Sequence, residues 1–257
     1  MRAVTGLPPA VAPGEVVILG ATTPLGLALA ARLVAGGSRA VGLIRDPRDR
    51  RPVEAAGAEA ALFVPDRGAE ALEAELAAVA RGADALVLAA GTGTGPGSLG
   101  RASATRSPAA LFAAAGLRAG VRRCVMVSSL RPPDGADRET GDAYLRAKLD
   151  AEEHLRGCGL EVTILRPGRL TDAPATGRVR LAPAGPDAPP GDTSRADAAA
   201  TVCALLAEPR SAGLTLELRP VAAGHGSGIA RAVTACVTRR DRSPGHDEEG
   251  AHGGHGR

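Results

Sequence analysis

Short apolar runs alternate along this chain with longer alanine- and leucine-rich stretches. Runs at 16–20, 40–44, 60–64, 85–89, 124–128 and 162–165 predict strands, each short and dominated by apolar side chains. Between them, 24–35, 69–80, 108–119 and 141–156 predict helices. Strand–helix alternation at this spacing implies an α/β fold with a parallel sheet covered on both faces. Right-handed crossovers make such a sheet doubly wound, with ligands at the carboxyl ends of its strands.

After residue 169 the regularity weakens. "APAGPDAPPGD" (182–192) reads as a loop, "TSRADAAATVCALLAEP" (193–209) as a helix, "LTLEL" (214–218) as one more strand, and 229–237 as a last short helix. From 238 the chain is polar and glycine-rich, which predicts a disordered tail. The expected organisation is an N-terminal extension (1–14), one folded unit (15–237) and that tail (238–257).

The first strand runs into "GATTPLG" (20–26), the strand–turn–helix junction of a dinucleotide-binding loop. Such a loop works because amides at a helix start face the pyrophosphate and the helix dipole favours negative charge there. Gly20 permits the tight turn and Gly26 a close packing of helix on strand. Thr23 stands where a middle glycine usually lets the backbone approach the phosphates. Its hydroxyl suits a helix cap, and Pro24 suits the first helical position. A looser phosphate fit is expected, with Thr22, Thr23 and Leu25 around it and Thr23 donating a side-chain hydrogen bond.

The second strand ends in "LIRDPRDR" (43–50), with Arg45 just past it. An arginine here suits the 2′-phosphate of NADP, whereas a carboxylate suits the ribose hydroxyls of NAD. NADP is therefore the expected cofactor, and the adjacent Asp46 leaves NAD possible. Asp66, after the third strand, and Ala89, Ala90 and Gly91, ending the fourth, are expected to close around adenine and ribose.

A net charge of +3 over 257 residues, spread along the chain, supports no nucleic-acid footprint, and aromatic residues make up only 1%. The core must then be built from Ala, Val and Leu. Cys124, Cys158, Cys203 and Cys236 are too far apart for a CxxC pair and are expected to be buried, reduced thiols. His246, His252 and His255 in the tail offer no fixed geometry for a metal, and none is assigned. Met1-Arg2 and the apolar stretch 16–31 resemble a secretory leader, but Glu15 precedes that stretch and Gly20, Thr22, Thr23, Pro24 and Gly26 interrupt it. A cytoplasmic protein without a membrane span, monomeric or homodimeric, is expected.

"YLRAKLDAEEHL" (144–155) carries the chemistry. Tyr144 is the chain's single tyrosine, and Lys148, one helical turn on, is its single lysine. Where generic positive charge suffices this sequence uses arginine, so the lysine points to a need for a compact ammonium. A free phenol has a pKa of about 10. A nearby ammonium and a positive nicotinamide ring are expected to bring it down toward neutrality. Lys148 can also hold the nicotinamide ribose. Upstream, "CVMVSSL" (124–130) ends a strand with Ser128 and Ser129, and a hydroxyl there can bond the substrate oxygen; Ser129 is the first choice.

"GATTPLG", "LIRDP", "VSSL", the segment from Tyr144 to Asp172 and "TSRADAAATVCALL" together resemble an atypical short-chain dehydrogenase/reductase of the NAD(P)H-binding, NmrA-like branch. The resemblance spans about 15–220. It implies a Rossmann-like core, bound NADP(H), a small C-terminal substrate lobe from about 170, and Pro167 of "LRPG" near the nicotinamide. Three departures stand out: Thr23 for the middle glycine, "PDR" (65–67) where the family has Gly-Asp, and the absence from "RASATRSPAALFAAA" (101–115) of the family's familiar polar residue that supports the lysine.

The leading expectation is an NADP(H)-dependent oxidoreductase moving hydride between nicotinamide and a small carbonyl, quinone or similar acceptor. Tyr144 would be its acid/base, Lys148 the ribose anchor and Ser129 the oxygen donor. The alternatives are a non-catalytic NADP(H)-binding redox sensor and a nucleotide-sugar-type epimerase.

Overall fold

The computed structural model describes residues 13–63, 68–89, 107–130, 135–184, 191–219 and 226–242. Five βα steps open the chain: β1 (Glu15–Leu19), α1 (Pro24–Ala35), β2 (Arg39–Ile44), α2 (Arg50–Ala55), β3 (Glu59–Leu62), α3 (Ala69–Val79), β4 (Ala85–Leu88), α4 (Pro108–Ala119), β5 (Arg123–Val127) and α5 (Arg138–Gly157). Then follow β6 (Glu161–Pro167), β7 (Arg169–Thr171), β8 (Arg178–Pro183), β9 (Asp192–Ser194), α6 (Arg195–Leu206), β10 (Thr215–Arg219), β11 (Ser227–Gly228) and α7 (Ile229–Arg242). Nine strands form one sheet in the order β11-β8-β10-β6-β5-β4-β1-β2-β3, and β7 pairs with β9 apart from it. Neighbours from β3 to β10 run parallel, while β8 and β11 add an antiparallel edge. This is the Rossmann-like, doubly wound sheet that the alternation predicts.

Side-chain alternation divides the core in two. Val16 and Ile18 of β1 join the cluster under α1, α6 and α7, whereas Val17 and Leu19 face the cluster under α3, α4 and α5. A strand buried on both faces reads as a continuous apolar run, which is why β1 was visible in sequence. Alanine, valine and leucine build most of both clusters, as composition requires.

Several local differences have physical causes. Helix α5 starts at Arg138 rather than 141, because Asp137 caps it by accepting the Thr140 amide at 2.8 Å. Helix α2 hides in the arginine-rich stretch, burying only Val53. The last helix continues past 237 to Arg242, into residues expected to be disordered. Strands β7, β8, β9 and β11 fall where the sequence shows no regularity. All four cysteines are unpaired, but only Cys124 and Cys236 are buried; Cys158 and Cys203 are partly exposed. Burial pushes the Cys124 thiol up to about 12. The tail histidines lie outside the described residues. Among the described residues no helix is long and apolar enough to cross a membrane, and no His/Cys/Asp/Glu group could hold a metal.

At the amino end of β5, far from the strands' carboxyl ends, Arg123 is 7% exposed and ties three elements together. Its guanidinium donates to Glu161 O (2.8 Å), Thr163 Oγ1 (2.8 Å), Leu205 O (2.9 Å) and Ser211 Oγ (2.6 Å). Arg123→Leu should strand these acceptors and cost about 2–3 kcal/mol. Urea unfolding is expected to show that loss while dinucleotide affinity stays unchanged.

Candidate functional site

The turn after β1 is built by a threonine. Gly20 adopts φ 93°, a left-handed conformation that glycine tolerates without cost. Thr23 caps α1: its Oγ1 accepts the Gly26 amide at 3.0 Å and donates to the Gly20 carbonyl at 2.8 Å. Both hydroxyl functions are thereby engaged within the turn, so the expected Thr23 bond to a phosphate is not available in this arrangement. Pro24 has no amide, and Gly26 is held by the cap, which leaves the Leu25 amide as the first-turn donor the helix itself does not use. A Cβ on Gly26 would stand 2.1 Å from the Gly20 oxygen. The helix start therefore presses on the turn backbone as closely as glycine allows. Thr22 and Thr23 are half-buried, Pro24 is exposed and Leu25 is buried beneath. The shape suits a pyrophosphate lying over the Gly20–Leu25 turn.

At the end of β2 the two candidate recognition residues separate. Asp46 caps the 3-10 turn Pro47–Asp49, accepting the Arg48 amide at 2.8 Å, and its carboxylate is paired with the Arg48 guanidinium. Those bonds hold its pKa down at about 2. The carboxylate that would bind ribose hydroxyls is thus engaged by its own loop. Arg45 is half-buried and makes no ion pair among the described residues. Ala89 sits just past β4, its amide bonded to Leu19 O at 2.8 Å. Asp66, Ala90 and Gly91 lie outside the described residues.

The acid/base candidates converge at the end of β5. Ser129, not Ser128, hydrogen-bonds the Tyr144 hydroxyl. Ser128 is buried and its amide donates to Leu165 O at 2.8 Å; its hydroxyl has no bond of good geometry but lies near Glu152. Lys148 is 3% exposed, with Nζ 2.9 Å from Val127 O and 5.9 Å from the centre of the Tyr144 ring. Burial pulls its pKa down to about 8, against the opposing pull of Glu152. Pro167 ends β6 beside them, its carbonyl accepting the Leu130 amide at 3.0 Å.

The protein side chains alone do not lower the Tyr144 pKa. Burial raises the Tyr144 pKa above that of a free phenol, and only the Ser129 bond opposes it. The Lys148 ammonium donates to Val127 O. In this state Tyr144 is a neutral phenol at neutral pH, a proton donor rather than a base.

Sequence reasoning missed Glu152. It lies one turn beyond Lys148 and is fully buried, with Arg166 bonded to both its oxygens at 2.9 and 2.6 Å and Arg156 at 2.8 Å. Burial pushes its carboxyl up, but the Arg166 bonds, Ser128 and Arg156 outweigh this and keep it ionised. The signal was present: Tyr144, Lys148 and Glu152 recur every four residues, a single helix stripe.

Lys148 yields a pH test. Unfolded, it holds its proton up to the ordinary lysine value of 10.5; folded, it releases it near 8. The unfolded state binds more protons between those values, so stability should rise with pH across that window, and burying the ammonium costs most below it. Lys148→Met should abolish the rise, measured by urea unfolding at several pH values through the window.

A model of the NAD(P)H-binding family matches residues 20–209. An uncharacterized sugar epimerase of Bacillus subtilis (strain 168), YhfK, is 35% identical over 177 residues, 68% of this chain and 79% of that protein. A Bacillus halodurans structure assigned as an NAD-dependent epimerase/dehydratase superposes with a TM-score of 0.69 at 23% identity, covering 86% of this chain and 99% of that one. The Escherichia coli O157:H7 anaerobillin reductase ChuY gives 0.63 at 22% identity, covering 80% and 96%. The family match, the sheet order and the capped loop at the end of β1 converge: this chain belongs to the NAD(P)H-binding family of atypical short-chain dehydrogenase/reductases.

Proposed function

We propose that the protein is an NADP(H)-dependent reductase of a small carbonyl or quinone-type acceptor. The observation that carries this is the state of Tyr144: a half-buried phenol, held by Ser129 and kept protonated, is prepared to give a proton to an oxygen that gains electrons. When bound, the dinucleotide supplies the hydride. Tyr144 protonates the acceptor oxygen, and Ser129 bonds the same oxygen and holds the phenol in line. The phenolate left behind is stabilised by the Lys148 ammonium and regains its proton from water. Gly20, Thr22, Leu25 and Gly26 shape the pyrophosphate seat. Arg45 meets the 2′-phosphate, a preference supported by the engagement of Asp46 with Arg48.

The epimerase reading has the name of the Bacillus subtilis relative in its favour. An epimerase must first remove a proton, for which the raised Tyr144 pKa is unfavourable, so reduction is preferred.

Two measurements test the reading. Tyr144→Phe should lower NADPH-dependent turnover at least a hundredfold, the scale of general-acid catalysis, while calorimetric NADPH affinity is unchanged. Turnover that survives the change removes Tyr144 from the chemistry, and tight NADPH binding without turnover on any carbonyl or quinone identifies a sensor. Arg45→Glu should weaken NADPH at least about tenfold, the value of a charge-assisted phosphate contact, and leave NADH little affected. Equal losses for both would show that Arg45 does not select NADP.

A further inference from the structure

Next to Pro167 the sheet continues into a cavity that none of the above uses. Its volume is about 300 Å³, and its walls include Thr171, Thr176, Arg178, Thr193, Asp197 and Arg219. The register puts it at the strands' carboxyl edge: Leu218 pairs with Pro167, so Arg219 stands one step further out, beside Gly168. Thr193 comes from the other wall, where it pairs with Leu170 in the β7–β9 ribbon. A volume of this size is at the small end for ligand sites and admits part of a small molecule.

Two side chains of these walls each carry a buried polar atom with no hydrogen-bond partner among the described residues. Arg219 is 9% exposed; its guanidinium pairs with Glu217, but Nη1 bonds nothing. Thr193 is 5% exposed, and its Oγ1 also bonds nothing. A buried unpaired donor costs about 1–3 kcal/mol, more when charged, so two in one cavity call for an acceptor. The acidic groups of the walls do not supply it. Asp197 Oδ2 takes the Thr176 amide and hydroxyl, each at 2.9 Å, and Oδ1 takes the Gly177 amide at 2.9 Å. Asp192 is paired with Arg169.

The electrostatics of the neighbouring row point the same way. Glu217 is register partner to Arg166 as well as ion-pair partner to Arg219, and Arg166 is already bound to Glu152. Glu152 and Glu217 thus serve Lys148, Arg156, Arg166 and Arg219, four cations against two carboxylates. In this row cations outnumber carboxylates, while the cavity walls themselves set Arg178 and Arg219 against Asp192 and Asp197. A guanidinium offers donors only, in a fork that fits carboxylate and phosphate oxygens.

We propose that this cavity receives the carboxylate or phosphate of the substrate, bound by Arg219 Nη1 and Thr193 Oγ1. Resting on the reductase reading above, this makes the acceptor an oxo acid or a phosphorylated carbonyl compound rather than a neutral ketone or quinone.

The site can be tested apart from the chemistry. The full chain, without dinucleotide, is titrated in a calorimeter with 2-oxobutyrate, dihydroxyacetone phosphate, inorganic phosphate and methyl 2-oxobutyrate as the neutral control. At least one anion should bind and the ester should not; the order among the anions tells a carboxylate site from a phosphate site. Thr193→Val should weaken that anion about fivefold, the value of one hydrogen bond. Arg219→Lys, which keeps the charge beside Glu217 but loses the fork, should weaken it at least tenfold. Inorganic phosphate that binds while no carbonyl compound does identifies a free-anion site and overturns the substrate assignment. Anions that bind both variants as well as the wild type, or none binding at millimolar concentration, overturn the site itself. NADPH titration in parallel keeps the two readings apart: lost anion binding with intact NADPH binding rejects only the cavity, and the reverse rejects only the reductase.

Discussion

Glu152 lies fully buried on α5 and still carries its charge, because Arg166 grips both its oxygens and Arg156 reaches it from the next turn. A carboxylate in that position would be costly alone, and so would the cations around it. Together they let a helix with a polar stripe lie against β5 and β6 as though the stripe were apolar. The same carboxylate opposes the desolvation of Lys148, so the ammonium beside Tyr144 persists near neutral pH. Replacing the carboxylate would leave three cations facing each other in a low dielectric. The acid/base geometry at the end of β5 thus depends on a residue that touches neither Tyr144 nor Ser129 in any described contact.

The loop after β1 shows a different economy. A middle glycine would let the backbone approach a phosphate, and its freedom would have to be frozen when the loop ordered. Thr23 fixes the turn beforehand by closing two hydrogen bonds within it. The cost is one fewer donor for the pyrophosphate, since Gly26 gives its amide to the cap. What remains is the Leu25 amide, the helix dipole and the close approach enforced at Gly26. On the NADP(H) reading proposed above, weaker phosphate contact would place more of the selectivity on the adenosine end, where Arg45 and the Asp46–Arg48 pair differ in availability.

The parallel half of the fold was legible because burial on both faces writes continuous apolar runs, and helices α1 and α4 have their predicted bounds because Thr23 and Ser107 cap them ahead of a proline. Strands β7, β8 and β9 were illegible because they are short, partly exposed and set among prolines and glycines, so no period develops. The site divided in the same way. Tyr144 and Lys148 stood out by rarity and spacing, and the Ser128/Ser129 ambiguity was resolved only by the strand's facing. Glu152 shares a legible helix stripe with Tyr144 and Lys148, but its burial and that of Arg219 were not legible in a chain rich in both charges. The proximity of Tyr144 to an ammonium was legible, but the burial that raises its pKa was not.

That orientation explains why a chain so dependent on arginine keeps a lysine at 148. The position is 3% exposed and offers a carbonyl, Val127 O, at one side and a carboxylate one turn away. An ammonium has three donors on a compact head and can release its proton when desolvated; a guanidinium carries five donors in a rigid plane and cannot. Arginine there would bury donors it could not satisfy and crowd the phenol it stands beside. Its charge would also be fixed, whereas burial pulls the lysine's pKa down to about 8. Position 148 thus holds a cation that can lose its charge where an arginine could not.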